Sequence, residues 1–276
     1  MKQFINCKGK LIDLSRPKIM GILNVTPDSF YDGGQYTSEK DILLKVEKML
    51  KDGATFIDVG AYSSRPNAND VSEGQELYRS LKAINLITKK FPETLISVDT
   101  FRSKVAQEAV AAGACMINDI SGGSLDKNMF QTVASLQVPY ILMHMQGTPQ
   151  NMQNNPYYED IIFEIRSYFS KKINLLRQLG LNDIILDVGF GFGKTIEHNY
   201  TLLKNLNLFN IFGVPLLAGL SRKSMLYKVL DTNATKALNA TSVANTLALQ
   251  NGASILRVHD VKEAYETIQI VNQLAV

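Results

Sequence analysis

Lys18-Ile19-Met20-Gly21-Ile22-Leu23-Asn24 is an apolar run that ends on a polar residue and opens at once into Val25-Thr26-Pro27-Asp28-Ser29-Phe30, a stretch rich in turn formers. A strand with one wet face alternates apolar and polar residues; a strand covered by helices on both faces reads as an unbroken apolar run. The same event recurs along the chain at Phe56–Val59, Leu95–Asp99, Met116–Ser121, Tyr140–His144, Ile184–Val188, Pro215–Leu220 and Ala253–His259, which makes eight candidate strands. Between them lie stretches of helical periodicity, among them Glu39–Lys51, Glu73–Lys90, Arg102–Ala112, Tyr158–Leu179 and Thr235–Gln250. Gly53, Gly113, Gly180 and Gly252 each close one such stretch, where a left-handed helix end suits glycine.

Repeated strand–helix units build either a closed barrel or a doubly wound open sheet, and periodicity alone does not separate them. Eight strands, and a length near the roughly 250 residues typical of the barrel, favour a (β/α)8 TIM barrel, an α/β fold in a single domain spanning residues 1–276. Gln3–Leu14, with Lys8-Gly9-Lys10 at its centre, reads as a hairpin within residues 1–15 that plugs the amino-terminal mouth, leaving 16–276 for the barrel.

The chain is 45% hydrophobic and carries 29 basic against 26 acidic residues, a net charge of +3. That suffices for a large core and leaves no field that points to nucleic acid or a bilayer. The segment Met1–Leu14 matches no signal or transit peptide, and no apolar stretch is long enough to span a membrane. Cys7 and Cys115, far apart and without metal-ligand spacing, read as free thiols of a reducing cytoplasm.

Polar residues end the strands: Asn24, Asp99, Asn118, Asp187 and the pair Arg257/His259, with Arg65 and Lys223 in the loops just beyond. In a barrel these converge on the carboxyl face, where such enzymes work. Asp99 and Asp187 could cap helices, or accept hydrogen bonds from the ring N–H and amino groups of a flat heterocycle. Asn118 and Asp119 are adjacent, so only one faces the interior. Arg257 and His259 share a face by the two-residue strand period; they make an anion clamp, or else Arg257 is an interior arginine paired with an acid.

Gly189-Phe190-Gly191-Phe192-Gly193-Lys194-Thr195 is not a phosphate loop, because Val188 stands where that pattern needs its first glycine. It reads instead as a loop presenting Phe190 and Phe192. Ser221-Arg222-Lys223-Ser224 offers cations and hydroxyls after the seventh strand. His144, ending the fifth, is structural or lies under a bound ring.

Taken in order, Ile22–Phe30 with Asp32-Gly33-Gly34, Ser63-Ser64-Arg65-Pro66, Val98-Asp99, Asn118-Asp119-Ile120, Met143–Gly147, Leu186-Asp187 with Gly189–Lys194, Ser221–Ser224 and Arg257–Asp260 resemble the dihydropteroate synthase family over nearly the whole chain. The resemblance implies condensation of 6-hydroxymethyl-7,8-dihydropterin pyrophosphate with p-aminobenzoate, Mg2+ on the diphosphate, a homodimer and a sulfonamide target. It places the pterin on Asp99, Asn118, Asp187 and Lys223, choosing Asn118 over Asp119. It places the pyrophosphate on Asn24, Arg65, Arg257 and His259, with Asn24 also at the metal. Around p-aminobenzoate it sets Phe30, Ser64, Pro66, Phe192, Ser221 and Ser224, and it gives the catalytic work to Asp99, Asp187, Lys223 and Arg257. Tyr31, Ser64, Asn67 and Val188 depart from the common pattern, three of them in loops expected near p-aminobenzoate.

Overall fold

The computed structural model describes residues 4–25, 39–62 and 71–275. Strands β1 (Phe4–Cys7) and β2 (Lys10–Asp13) pair antiparallel, Cys7 opposite Lys10. The turn between them holds Lys8 at φ 53° and Gly9 at φ 77°, the two left-handed positions of a type I′ hairpin turn, which suit the glycine. Eight further strands follow: β3 (Lys18–Asn24), β4 (Phe56–Gly60), β5 (Leu95–Asp99), β6 (Met116–Asp119), β7 (Tyr140–Met143), β8 (Ile184–Asp187), β9 (Leu216–Ala218) and β10 (Ile255–Val258). All pair parallel in sequence order, and β10 closes on β3. The fold is therefore the closed barrel with a hairpin, and the open sheet is excluded.

Outside the barrel lie α1 (Glu39–Lys51), α2 (Glu73–Lys90), α3 (Ser103–Ala111), α4 (Met129–Leu136), α5 (Ile161–Gln178), α6 (Ile196–Lys204), α7 (Ser224–Tyr227), α8 (Leu238–Gln250) and α9 (Val261–Asn272). Two expected helix starts move inward for local reasons. Asp160 accepts from the backbone N–H of Ile162 and Phe163, so α5 begins at Ile161 rather than Tyr158. Asn233 caps a separate 3-10 turn at Ala234–Lys236, so α8 begins at Leu238 rather than Thr235.

Several strands also end earlier than the apolar runs suggest, because a side chain turns the chain. Asp119 accepts from the backbone of Ser121 and Gly123, and Asp187 from that of Gly189, which ends β6 and β8 at those carboxylates.

Each barrel strand sends alternate residues to two cores. Ile57, Val59, Ile96, Val98, Leu142 and Leu186 face the helices. Met20, Phe56, Leu95, Met116, Ile141, Ile185, Leu217 and Ile255, one from each strand, form an interior layer with Ile5, Cys7, Leu14 and Cys115. The hairpin is thus the floor of the barrel, and the backbone N–H of Asn6 ties it to the Asp183 carboxylate at 3.1 Å. Full burial of each large floor side chain stabilises the fold by roughly 1.5–3 kcal/mol.

Candidate active site

On four of the strands, two residues beyond the floor, the interior turns polar: Asp58 on β4, Asn118 on β6, Asp187 on β8 and Arg257 on β10. Arg257 occupies the centre. Its Nε donates to Asp58 Oδ2 at 2.6 Å and one terminal nitrogen donates to Asp99 Oδ2 at 2.7 Å. Of the two open readings the acid-paired interior arginine is the one seen, and Arg257 lies in the mouth two residues before His259 on the same strand line. Asn118 donates from Nδ2 to the same Asp58 oxygen at 3.0 Å.

Asp58 is the site residue that strand-end reasoning missed. It is fully buried, and its Oδ1 has no hydrogen-bond partner among the described residues. The signal in the sequence was a carboxylate inside the apolar run Phe56–Val59, where an unpaired charge is not tolerated.

Asp99 caps no helix: α3 starts from Arg102, and Ser103 N–H is taken by Asp126. Burial pushes the Asp99 carboxyl up to about 7, against the pull of Arg257. Asp187 is buried and likewise raised by desolvation, which the Gly189 N–H at 2.8 Å and Lys223 oppose. Asp119 faces away from the interior, bonded to Ser121, Gly123 and the Tyr140 hydroxyl at 2.7 Å, which leaves Asn118 to the site.

The loop after β9 is stapled by Arg222, which adopts φ 56°. Its guanidinium grips Asp260 through two bonds of 2.8 and 2.9 Å and reaches the carbonyls of Ala234 and Thr235. One of the two adjacent cations is thus a structural clasp, and the other, Lys223, turns toward the mouth. Lys223 donates to the Phe190 carbonyl and sits 4.3 Å from the centroid of the Phe192 ring, and burial pushes its ammonium down to about 8. Ser224, half-buried, opens α7.

Ser221 belongs with His259: its hydroxyl accepts from the His259 backbone N–H at 3.2 Å and lies 2.9 Å from the ring Nδ1, with the hydroxyl assigned as donor there. That assignment leaves the imidazole proton on Nε2. His259 is reached by solvent but enclosed by the walls of the mouth, and desolvation together with Arg257 pushes it down to about 4, so it is neutral near pH 7.

The Gly/Phe loop differs from expectation. Phe190 is fully buried in the helix-facing core, and only Phe192 remains half-exposed toward Lys223. Gly189 is required there, because at φ 71° an added Cβ would lie 2.0 Å from the His144 carbonyl oxygen. Lys194 turns inward. It is buried, donates to the carbonyls of Phe192 at 2.9 Å and His144 at 3.3 Å, and lies 3.1 Å from His144 Nδ1. Burial pushes Lys194 down to about 7 and holds the His144 imidazole well below its ordinary range. Together they tie the loop after β7 to the loop after β8.

Asn24 ends β3, half-buried, opposite Gly60. A Cβ at Gly60 would crowd Asn24 Oδ1 at 3.3 Å and touch Asp99 at 3.7 Å, so the glycine lets these two side chains approach the strand. Phe30, Ser64, Arg65 and Pro66 lie outside the described residues. The arrangement therefore offers two buried acceptors beside two cations and a neutral histidine donor, suited to a flat ring rich in N–H groups that carries an anionic tail.

Residues 20–259 match the family model of pterin binding enzymes. The chain is 44% identical over 272 residues to the dihydropteroate synthase of Haemophilus influenzae, covering 98% of each. Among solved structures it resembles the Yersinia pestis dihydropteroate synthase in its sulfonamide drug complex, with TM-score 0.93 at 41% identity and 99% of both chains covered. It also resembles the Xanthomonas albilineans dihydropteroate synthase with 4-aminobenzoic acid, with TM-score 0.93 at 35% identity, covering 100% of this chain and 99% of that one.

Proposed function

The chain belongs to the dihydropteroate synthase family, and from that premise we propose how its residues divide the work of the reaction. The reaction joins 6-hydroxymethyl-7,8-dihydropterin pyrophosphate to p-aminobenzoate, giving 7,8-dihydropteroate and pyrophosphate; the chain is a transferase. The observation that carries the division is Arg257, standing where the carboxylate side of the mouth meets the cationic side.

Asp99, Asn118, Asp187 and Lys223 hold the pterin. The carboxylates accept from ring N–H and amino groups, and because burial disfavours their charge, each gains from a ring that becomes cationic. Arg257, the His259 Nε2–H, Arg65 and Asn24 take the diphosphate. The C–O bond at the pterin methylene breaks with its electron pair leaving on pyrophosphate. The arylamine nitrogen then forms the C–N bond and loses a proton to solvent. An arylamine is already nucleophilic, so no strong base is required. Phe192, Ser224 and Ser221, with Phe30, Ser64 and Pro66, frame p-aminobenzoate; Phe192 and Lys223 are a ready-made edge for a flat acid.

The Asn24 amide oxygen at the mouth would hold Mg2+, since magnesium on a diphosphate needs few protein ligands, and when bound the ion would neutralise the leaving group. The chain acts as a homodimer through its outer helices, where Val243 and Leu247 of α8 are 55% and 42% exposed. It works in the cytoplasm, where Cys7 and Cys115 stay free thiols; no helix among the described residues is long and apolar enough to cross a membrane.

Purified protein with Mg2+ is expected to release pyrophosphate only when both substrates are present, and a sulfonamide competes with p-aminobenzoate. Release with the pterin pyrophosphate alone, or none with both, sinks this division. Light scattering that reports a monomer sinks the dimer.

A further inference from the structure

The two carboxylates that share Arg257 are not equivalent. Asp58 is wholly buried, and its Oδ2 accepts from both Arg257 Nε and Asn118 Nδ2. Asp99 is 20% exposed, and among the described residues its carboxylate bonds to Arg257. The register sets them at different depths: Gly60 lies opposite Asp99, so Asp58 sits two residues nearer the floor, opposite Ser97. Two residues of strand are roughly 6–7 Å.

We infer that Asp58 is the permanent anchor of Arg257 and Asp99 its exchangeable partner, so that an incoming diphosphate takes the arginine's terminal nitrogen from Asp99 and frees that carboxylate for the pterin ring. The inference rests on the proposed assignment of Arg257 to diphosphate and Asp99 to the ring. The direction of exchange follows from burial. Taking Arg257 from Asp58 would strand a fully buried charge, one of whose oxygens has no partner among the described residues. Taking it from Asp99 strands a carboxylate at the mouth, where a ring N–H can replace the lost donor. Burial already raises the Asp99 carboxyl even with Arg257 in place, so without the arginine its demand for a new donor grows.

Two consequences separate this arrangement from a passive pocket. Diphosphate and ring bind synergistically, because each completes what the other disturbs, and by linkage the effect is reciprocal. Asp58 is a positioning residue: it touches neither substrate, yet fixes the arginine for one and the Asn118 amide for the other. With its Nδ2 held by Asp58, Asn118 presents its carbonyl oxygen to the ring.

The test is calorimetric titration of inorganic pyrophosphate with Mg2+, and of 6-hydroxymethylpterin, each alone and in the presence of the other. In the unaltered protein each ligand is expected to tighten the other by about 5-fold or more. Asp58→Asn, which keeps the shape and removes the charge, loses at least about 10-fold in pyrophosphate affinity and less than about 3-fold in pterin affinity. Asp99→Asn behaves oppositely: pyrophosphate alone binds tighter, pterin binds weaker, and the synergy disappears. Equal pyrophosphate losses in the two variants, or none in Asp58→Asn, overturn the exchange. Arg257→Ala separates the levels, because pyrophosphate binding that survives it refutes the diphosphate site itself, whereas its loss beside an unaffected Asp58→Asn refutes only the anchor. Should Asp58→Asn not fold, arginine 15Nε resonances of the unaltered protein give the same answer. On adding pyrophosphate the Arg257 Nε–H signal is expected to keep its position and its protection from exchange while the terminal nitrogens shift, and an Nε–H that moves or loses protection with them overturns the anchor.

Discussion

The floor and the mouth of the barrel are built by the same strands, two residues apart, and they obey opposite rules. At the floor Phe56, Leu95, Met116, Ile185 and Ile255 meet the hairpin in a layer without charges. One strand period higher, β4, β6, β8 and β10 contribute Asp58, Asn118, Asp187 and Arg257, the first three buried and Arg257 20% exposed. The floor gains stability from area removed from water, whereas the mouth spends some of it to hold charges without solvent, ready for a ligand. The strand alternation lets one sequence do both: on β4, β6, β8 and β10 two inward-facing residues of the same strand serve opposite chemistries at different heights.

The largest expected effect that tests this separation is at the floor. Phe56→Ala should lower unfolding stability by about 3–5 kcal/mol in urea melts while the folded fraction keeps its KM for both substrates. A KM shift comparable to that of a mouth variant would show the two layers to be coupled. Asp187→Asn should do the reverse, lowering kcat/KM at least about 100-fold with stability unchanged or slightly higher. The sign follows from linkage: its folded-state pKa is raised, so the native state binds more protons and stability falls as pH rises through the carboxyl range. Removing the charge removes that loss.

Smaller effects appear in pH dependence. Because burial pushes Lys223 down to about 8, kcat/KM should fall as pH rises through that value, and Lys223→Arg should carry the fall to higher pH. An unmoved fall would assign it to another group. A second pH dependence, in stability rather than rate, comes from Lys194. With its folded-state pKa depressed to about 7, the unfolded state binds more protons above that point, so stability should rise as pH climbs from about 7 toward 10.5. Lys194→Met should flatten part of this slope; a slope equal to that of the unaltered protein would contradict the burial of this cation.

What the sequence disclosed follows the same division. The strand-end rule found Asn24, Asp99 and Asp187 because a polar residue closing an apolar run is visible in one dimension, and β3 and β5 run as their apolar runs suggest. Asp58 escaped because it lies inside its run, and pairing with a residue 199 positions away is not a local property. Phe190 and Phe192 looked alike in an alternating loop, yet one joins the core and the other the mouth, since their fates depend on left-handed turns at Gly189, Gly191 and Gly193. Arg222 and Lys223 looked alike as adjacent charges. Asp260, brought near by closure of the barrel, decided which became the clasp.

The hairpin floor has a consequence in time. Ile5 and Cys7 precede every barrel strand in order of synthesis, but the layer that buries them includes Leu217 and Ile255 from the last two strands. The base of the barrel therefore cannot be sealed until β10 has been made and has closed on β3, and until then the hairpin's apolar face has no complete seat. Burial there waits on contacts between distant parts of the chain, the kind that slow folding and leave sticky surface exposed on the way. An early-made piece that is seated late makes emergence from the ribosome the moment of greatest exposure for this chain.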